Sequence, residues 1–218
     1  MRPTEYLRSL SLTQWGGATD HDFCRQLAKG SLPIAKMQWY LAQDYKFIDG
    51  FVRLLATTIA HAPTIDEAVP AAKFLAVVTG PENDYFQRSF NALSMSQTQQ
   101  DPATAPQTLA FQNLMHKARC SGRYELMLSV LVVAEWSYLS WAQRYVGYDD
   151  SLPFYFSQWI DLHCGDYFES VVEYLRLQLD QVWTTLNEEE KDEVIQIFQQ
   201  AVDCELNFFD AAFEIESI

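Results

Sequence analysis

Hydrophobic residues along this chain recur at three- and four-residue spacing almost from end to end, the period of amphipathic helices. The clearest case begins at Pro33. Met37, Tyr40, Leu41, Phe47, Ile48, Phe51, Leu54 and Leu55 share one face, predicting a helix to about His61. Asp44 lies in the middle of that apolar stripe. A charge placed there costs on the order of several kcal/mol unless a partner or a ligand meets it.

The same spacing and its punctuation outline the other elements. A first helix spans 3–14, ended by Gly16 and Gly17, and Asp20 caps a second over 21–29 that Gly30 closes. Ser31 as cap and Pro33 in the first turn start the Asp44 helix. Thr64 and Glu67 form a capping box for the next helix, which Gly80-Pro81 kinks before it resumes from Asp84 to Leu93. Residues 94–107, SMSQTQQDPATAPQ, read as an exposed internal loop. Further helices are predicted over 107–119, 123–146, 153–180 and 188–214. No alternating run bounded by turn signals argues for a strand. The fold class is all-α, an antiparallel bundle of seven to eight helices in a single domain over 1–218, since either half alone would leave wide apolar stripes bare.

Three more stripes repeat the Asp44 anomaly: Glu135 falls within that of 123–146, His163 within that of 153–180, and Glu205 within that of 188–214. Taken singly, a polar residue in such a stripe is a core group or reaches water at the stripe's edge. Four at similar depth on four helices fit the way a bundle builds a ligand site. A di-iron or di-manganese centre would require Glu-x-x-His, yet Phe47, Tyr138 and Phe208 stand three residues after the acids. His21, His61 and His116 sit near helix ends. The aromatics instead suggest a ring-lined pocket with carboxylates, suited to a flat heterocycle bearing amino groups. Crowding there would raise the pKa of at least one carboxyl, giving an acid and a base from the same residue type. No P-loop, GxGxxG or GxSxG is present.

Composition narrows the class further. Fifteen Lys and Arg against 29 Asp and Glu give a net charge of −14, with no basic run. That surface repels nucleic acid and anionic membranes. The most apolar stretch, Leu126 to Ala134, is too short to span a bilayer, and the first residues do not resemble a signal peptide. Cys24, Cys120, Cys164 and Cys204 show no paired spacing and read as reduced thiols of a cytoplasmic protein.

Several motifs together resemble the TenA or thiaminase II family: HDF at 21–23, GSLP at 30–33 and WYLAQD at 39–44 followed by Phe47. EWSYLSW at 135–141, QWIDLHCGDYF at 158–168 and CELNFFDAAF at 204–213 extend the likeness over nearly the whole chain. The resemblance implies a haem-oxygenase-like helical fold, a homo-oligomer (tetramer or dimer), and no haem, metal or other cofactor. It also implies hydrolysis of aminopyrimidines related to thiamin breakdown, releasing ammonia and hydroxymethyl pyrimidine. Asp44 would then hold the pyrimidine's amino group and ring nitrogen, and Glu205 would act as acid and base. Tyr138 would stand beside the reaction centre, and Phe47 would form a pocket wall.

Two positions depart from the better-known branch of that family. Its cysteine nucleophile precedes the tyrosine by four residues, where this chain has Ala134, with Glu135 next to it as in a second, thiol-free branch. His163 stands where a tyrosine is common. Cys204 is adjacent to Glu205, about 100° around the helix, and does not replace the thiol. The expected chemistry is therefore acid–base hydrolysis: Glu205 protonates the leaving amine and Glu135 positions or deprotonates water. The competing readings are a non-enzymatic pyrimidine-binding or regulatory protein, and a cofactor-free oxidase or metal oxygenase of the same superfamily.

Overall fold

The computed structural model describes residues 1–215, and all regular structure among them is helical. Twelve α-helices follow in order: α1 Pro3–Ser9, α2 Leu12–Thr19, α3 Asp22–Ala28, α4 Ile34–His61, α5 Ile65–Val77, α6 Asn83–Ala92, α7 Gln97–Gln100, α8 Pro106–Cys120, α9 Tyr124–Ala142, α10 Phe154–Leu162, α11 Gly165–Trp183 and α12 Glu188–Glu214. A π-turn, Val78–Glu82, joins α5 to α6, and a 3₁₀ turn, Gln143–Tyr145, extends α9.

The long elements follow the apolar spacing closely, and the additional segments come from breaks within predicted helices. The stretch read as 3–14 divides at Leu10 and Ser11, and Gly16 and Gly17 lie inside α2 instead of ending a helix. Gly17 is where α2 meets α12: a Cβ there would stand 3.1 Å from Leu206. The N-cap of α3 is His21, whose Nδ1 accepts from the Phe23 amide, and not Asp20. Pro33 precedes the first residue of α4, and Ser31 lies outside as part of the turn. Thr64 caps α5, and Asn187 with Glu190 forms a capping box for α12. The stretch 153–180 is broken at His163 and Cys164, and α11 restarts at Gly165, whose φ of +80° a side chain would oppose. Residues 94–107 hold the short α7 and stay largely exposed. Buried Gln43 ties their far end down, donating to the Ala103 carbonyl and accepting from the Ala105 amide and the Thr108 hydroxyl, each at 2.9 Å.

Helix α9 runs through the middle of the bundle. Apolar on every side and buried along most of its length, it has α11 and α12 on its flanks, with α4 and α8 closing round it. Two apolar clusters fill the interior. One gathers Phe51, Phe74, Phe111 and the body of α9; the other gathers Tyr40, Trp141, Trp159 and Phe208. Ile48 and Tyr138 touch both, and the seam between the clusters stays open as a cavity. Among the described residues, no helix is long and apolar enough to cross a membrane.

Candidate active site

The cavity contains about 460 Å³ of space between its lining atoms, mouth included. Asp44 and Phe47 reach it from α4, Glu135 and Tyr138 from α9, His163 from the end of α10 and Glu205 from α12. All six residues singled out in the sequence thus line one space. His163 does so from the C-cap of α10, where its ring turns in beside Tyr138 with ring centroids 4.7 Å apart. The sequence places it mid-helix, which the break at Cys164 corrects.

Glu82, a fourth acid, escaped the periodicity. It sits on the π-turn, where Pro81 supplies no N–H and the regular i→i−4 ladder cannot continue. The changed helical phase turns Glu82 inward while Thr79, Gly80 and Pro81 face solvent. Gly-Pro announced the break, but spacing on either side could not say which side chain it would bury. Trp159, Phe208, Phe111 and Ala134 also line the cavity. Cys204 lies outside it, half-buried toward α8, and Cys24 is buried elsewhere in the core.

Burial dominates the electrostatics. Asp44, Glu82, Glu135 and Glu205 are only 4, 8, 8 and 2% exposed. Among the described residues no ion pair involves any of them. Desolvation lifts Asp44 to about 8, with the Tyr40 hydroxyl drawing it part of the way back. Glu82 rises to about 8 through burial and the nearby Asp44 charge. Glu135 is pushed well above the ordinary range by burial, then by Glu82 and Asp44, and Glu205 likewise by burial, then by Asp44 and Glu135. One oxygen of Glu205, Oε1, is buried with no hydrogen-bond partner.

The polar groups between the acids have defined directions. Trp159 donates through Nε1 to the Tyr40 hydroxyl at 3.1 Å, and Tyr40 and Tyr138 share a 2.6 Å hydrogen bond. His163 Nδ1 lies 2.8 Å from the Trp159 carbonyl, which can only accept, so Nδ1 carries the proton. Burial lowers the His163 pKa to about 4, leaving the ring neutral near pH 7 with Nε2 as an acceptor. The site can therefore exchange protons through several carboxyls and accept through His163. Its apolar walls, Phe47, Phe51, Phe74, Phe111 and Phe208, suit a flat ring. Among the described residues, no three His, Cys, Asp or Glu side chains are grouped to hold a metal ion.

Comparison with known proteins identifies the lineage. The TENA/THI-4/PQQC family profile matches residues 11–214. The chain belongs to this family. Among similar TenA relatives, the aminopyrimidine aminohydrolase of Halalkalibacterium halodurans is 25% identical over 202 residues, covering 91% of this chain and 90% of that one. The aminopyrimidine aminohydrolase of Bacillus subtilis is 22% identical, covering 99% and 92%. The TenA fold is shared with a TenA homologue from Pyrococcus furiosus, TM-score 0.87 at 18% identity, covering 97% of this chain and 100% of that one. A protein from a Silicibacter species described as a TenA family transcription regulator gives TM-score 0.86 at 22% identity, with coverages of 98% and 97%. The helical bundle is thus the haem-oxygenase-like one that the motifs imply.

Proposed function

We propose that this TenA-family chain is a thiamin-salvage hydrolase acting on aminopyrimidines by carboxylate acid–base catalysis. The observation that carries the reading is the cavity itself: four buried acids without ion-pair partners among the described residues, set among aromatic rings. Relatives named aminopyrimidine aminohydrolase at 22–25% identity support it. Asp44, kept largely protonated by burial, pairs with the amino group and ring nitrogen of the pyrimidine, acting as donor and acceptor at once. Phe47 packs on the ring, Tyr138 stands beside the reacting carbon, and His163 accepts through Nε2.

Glu205 delivers a proton to the amine nitrogen, and the C–N bond breaks to release ammonia. Water positioned by Glu135 forms the new C–O bond and returns a proton to the Glu205 carboxylate, which is thereby restored as the acid. The sum is aminomethyl pyrimidine plus water to hydroxymethyl pyrimidine plus ammonia. With a formylaminomethyl pyrimidine, the same acid and base would cleave the amide to formate and the amine precursor. Ala134 in place of a thiol supports this direct route over covalent addition of sulfur.

The test incubates metal-stripped protein with 4-amino-5-aminomethyl-2-methylpyrimidine, and separately with thiamin, following products by mass spectrometry. Turnover of the aminopyrimidine, lost in Glu205→Gln with the fold intact, is expected. Wild-type rates in that variant would refute the role of Glu205. A second reading, a pyrimidine-binding regulator, is motivated by the description of the Silicibacter relative; binding without turnover would identify it. The net charge of −14 argues against direct contact with DNA in that case.

A further inference from the structure

Glu82 is the acid of the cavity to which the proposed reaction gives no part. It is buried, yet its side chain makes no hydrogen bond or ion pair among the described residues. Its neighbours show that solvent was within reach: Thr79, Gly80 and Pro81 are exposed, and Asp84 pairs with Arg88 on the surface. The turn that directs it inward is firmly held. The Tyr45 hydroxyl donates to Asn83 Oδ1 at 3.0 Å and the Tyr45 ring packs on Phe86 and Phe90. Tyr85 donates to the Tyr155 carbonyl at 2.7 Å. A partnerless carboxyl, aimed into a cavity by a fixed π-turn, is a group waiting for a ligand.

The surroundings define that ligand's charge. Facing the cavity are Asp44 from α4, Glu135 and Tyr138 from α9, His163 from the end of α10 and Glu205 from α12, and among the described residues no Lys or Arg lines it. Any positive charge at the site is therefore the occupant's own. In the proposed reaction, the amine is an ammonium ion at the point of departure, whether it arrives protonated or receives its proton from Glu205.

We infer that Glu82 is the counter-ion for this ammonium, making the site selective for pyrimidines with an alkylammonium side chain over neutral ones of the same shape. The inference rests on the aminopyrimidine reading. Glu82 acts as a positioning and specificity residue, while Asp44 reads the ring. A charge-assisted hydrogen bond in a buried site discriminates strongly, because the neutral competitor leaves the carboxylate without its partner.

Calorimetric titration of proteins with wild-type Glu82, Glu82→Gln and Glu82→Asp, all in a Glu205→Gln background that does not turn the amine over, tests this with aminomethyl and hydroxymethyl pyrimidine as ligands, in two buffers of different ionisation enthalpy. The protein retaining Glu82 should bind the amine at least about tenfold more tightly than the alcohol, and Glu82→Gln should lose most of that preference by weakening the amine alone. Ionisation of Glu82 on binding should appear as protons released with the amine, fewer in Glu82→Gln, and Glu82→Asp should recover part of both effects. Equal weakening of both ligands, or none, would overturn the role of Glu82 while leaving the aminopyrimidine reading standing. Binding of neither ligand by the protein retaining Glu82 would remove that reading and this inference with it.

Discussion

Replacing Asp44 with Asn should flatten the dependence of stability on pH at the alkaline end. Burial raises this carboxyl from 3.8 to about 8. Between those values the folded protein retains a proton that the unfolded chain has lost. Stability from this group is therefore full below the unfolded pKa and falls as pH rises, by about 1.4 kcal/mol per pH unit, until the folded pKa is passed. His163 works in the opposite sense, since burial lowers it from 6.5 to about 4, and its rising contribution ends near pH 6.5. The window from 6.5 to 8 thus isolates the acids. Across it Asp44 accounts for about 2 kcal/mol, or roughly 4–8 °C in Tm for a domain of this size. Glu82, also raised to about 8, adds a second slope that depends partly on the Asp44 charge, so the variant relaxes some of that as well. Urea unfolding of the ligand-free proteins at intervals across the window measures the effect. Wild type should lose stability more steeply than Asp44→Asn, and parallel slopes would refute the buried-acid account of the cavity.

Two further perturbations separate scaffold from site. Trp136 has the guanidinium groups of Arg8 and Arg176 at 4.7 and 3.8 Å from its ring and the Trp15 ring edge-on at 5.0 Å, away from the cavity. Trp136→Ala should destabilise the protein by about 3–5 kcal/mol in urea unfolding, with pyrimidine affinity little changed in the protein that remains folded. Gln43→Ala removes three hydrogen bonds inside the protein and should cost about 1–3 kcal/mol. Limited proteolysis should then cut within residues 94–107 faster than in the wild type; unchanged cutting would mean the segment is held by its other contacts.

The stripes of α4, α9 and α12 were legible because long amphipathic helices repeat their apolar face often enough for one acid to stand out. Asp44, Glu135 and Glu205 each interrupt such a run, and all three line the cavity. His163 was found for a partly mistaken reason: it faces the cavity because α10 ends there, and the local signal was Gly165 with its positive φ, which the apolar spacing across 153–180 overrode. Glu82 was missed because a π-turn shifts helical phase by an amount that neither flanking helix records. The division of the first helix at Ser11 was hidden too. Gly16 and Gly17 resemble a terminator, whereas Gly17 serves the close approach of Leu206, a contact between ends of the chain that spacing cannot reveal.

The connection at 94–107 divides the cavity's residues by origin. Asp44, Phe47 and Glu82 precede it, while Glu135, Tyr138, His163 and Glu205 follow. Each portion of the chain thus carries two of the four acids, and neither carries a binding site. A molecule occupying the cavity bridges the two portions much as a shared ligand bridges two subunits, so its affinity is added to the cohesion between them. Starved of that molecule, the protein would hold its halves together against the mutual repulsion of whichever acids have ionised; supplied with it, the same acids become the fastening.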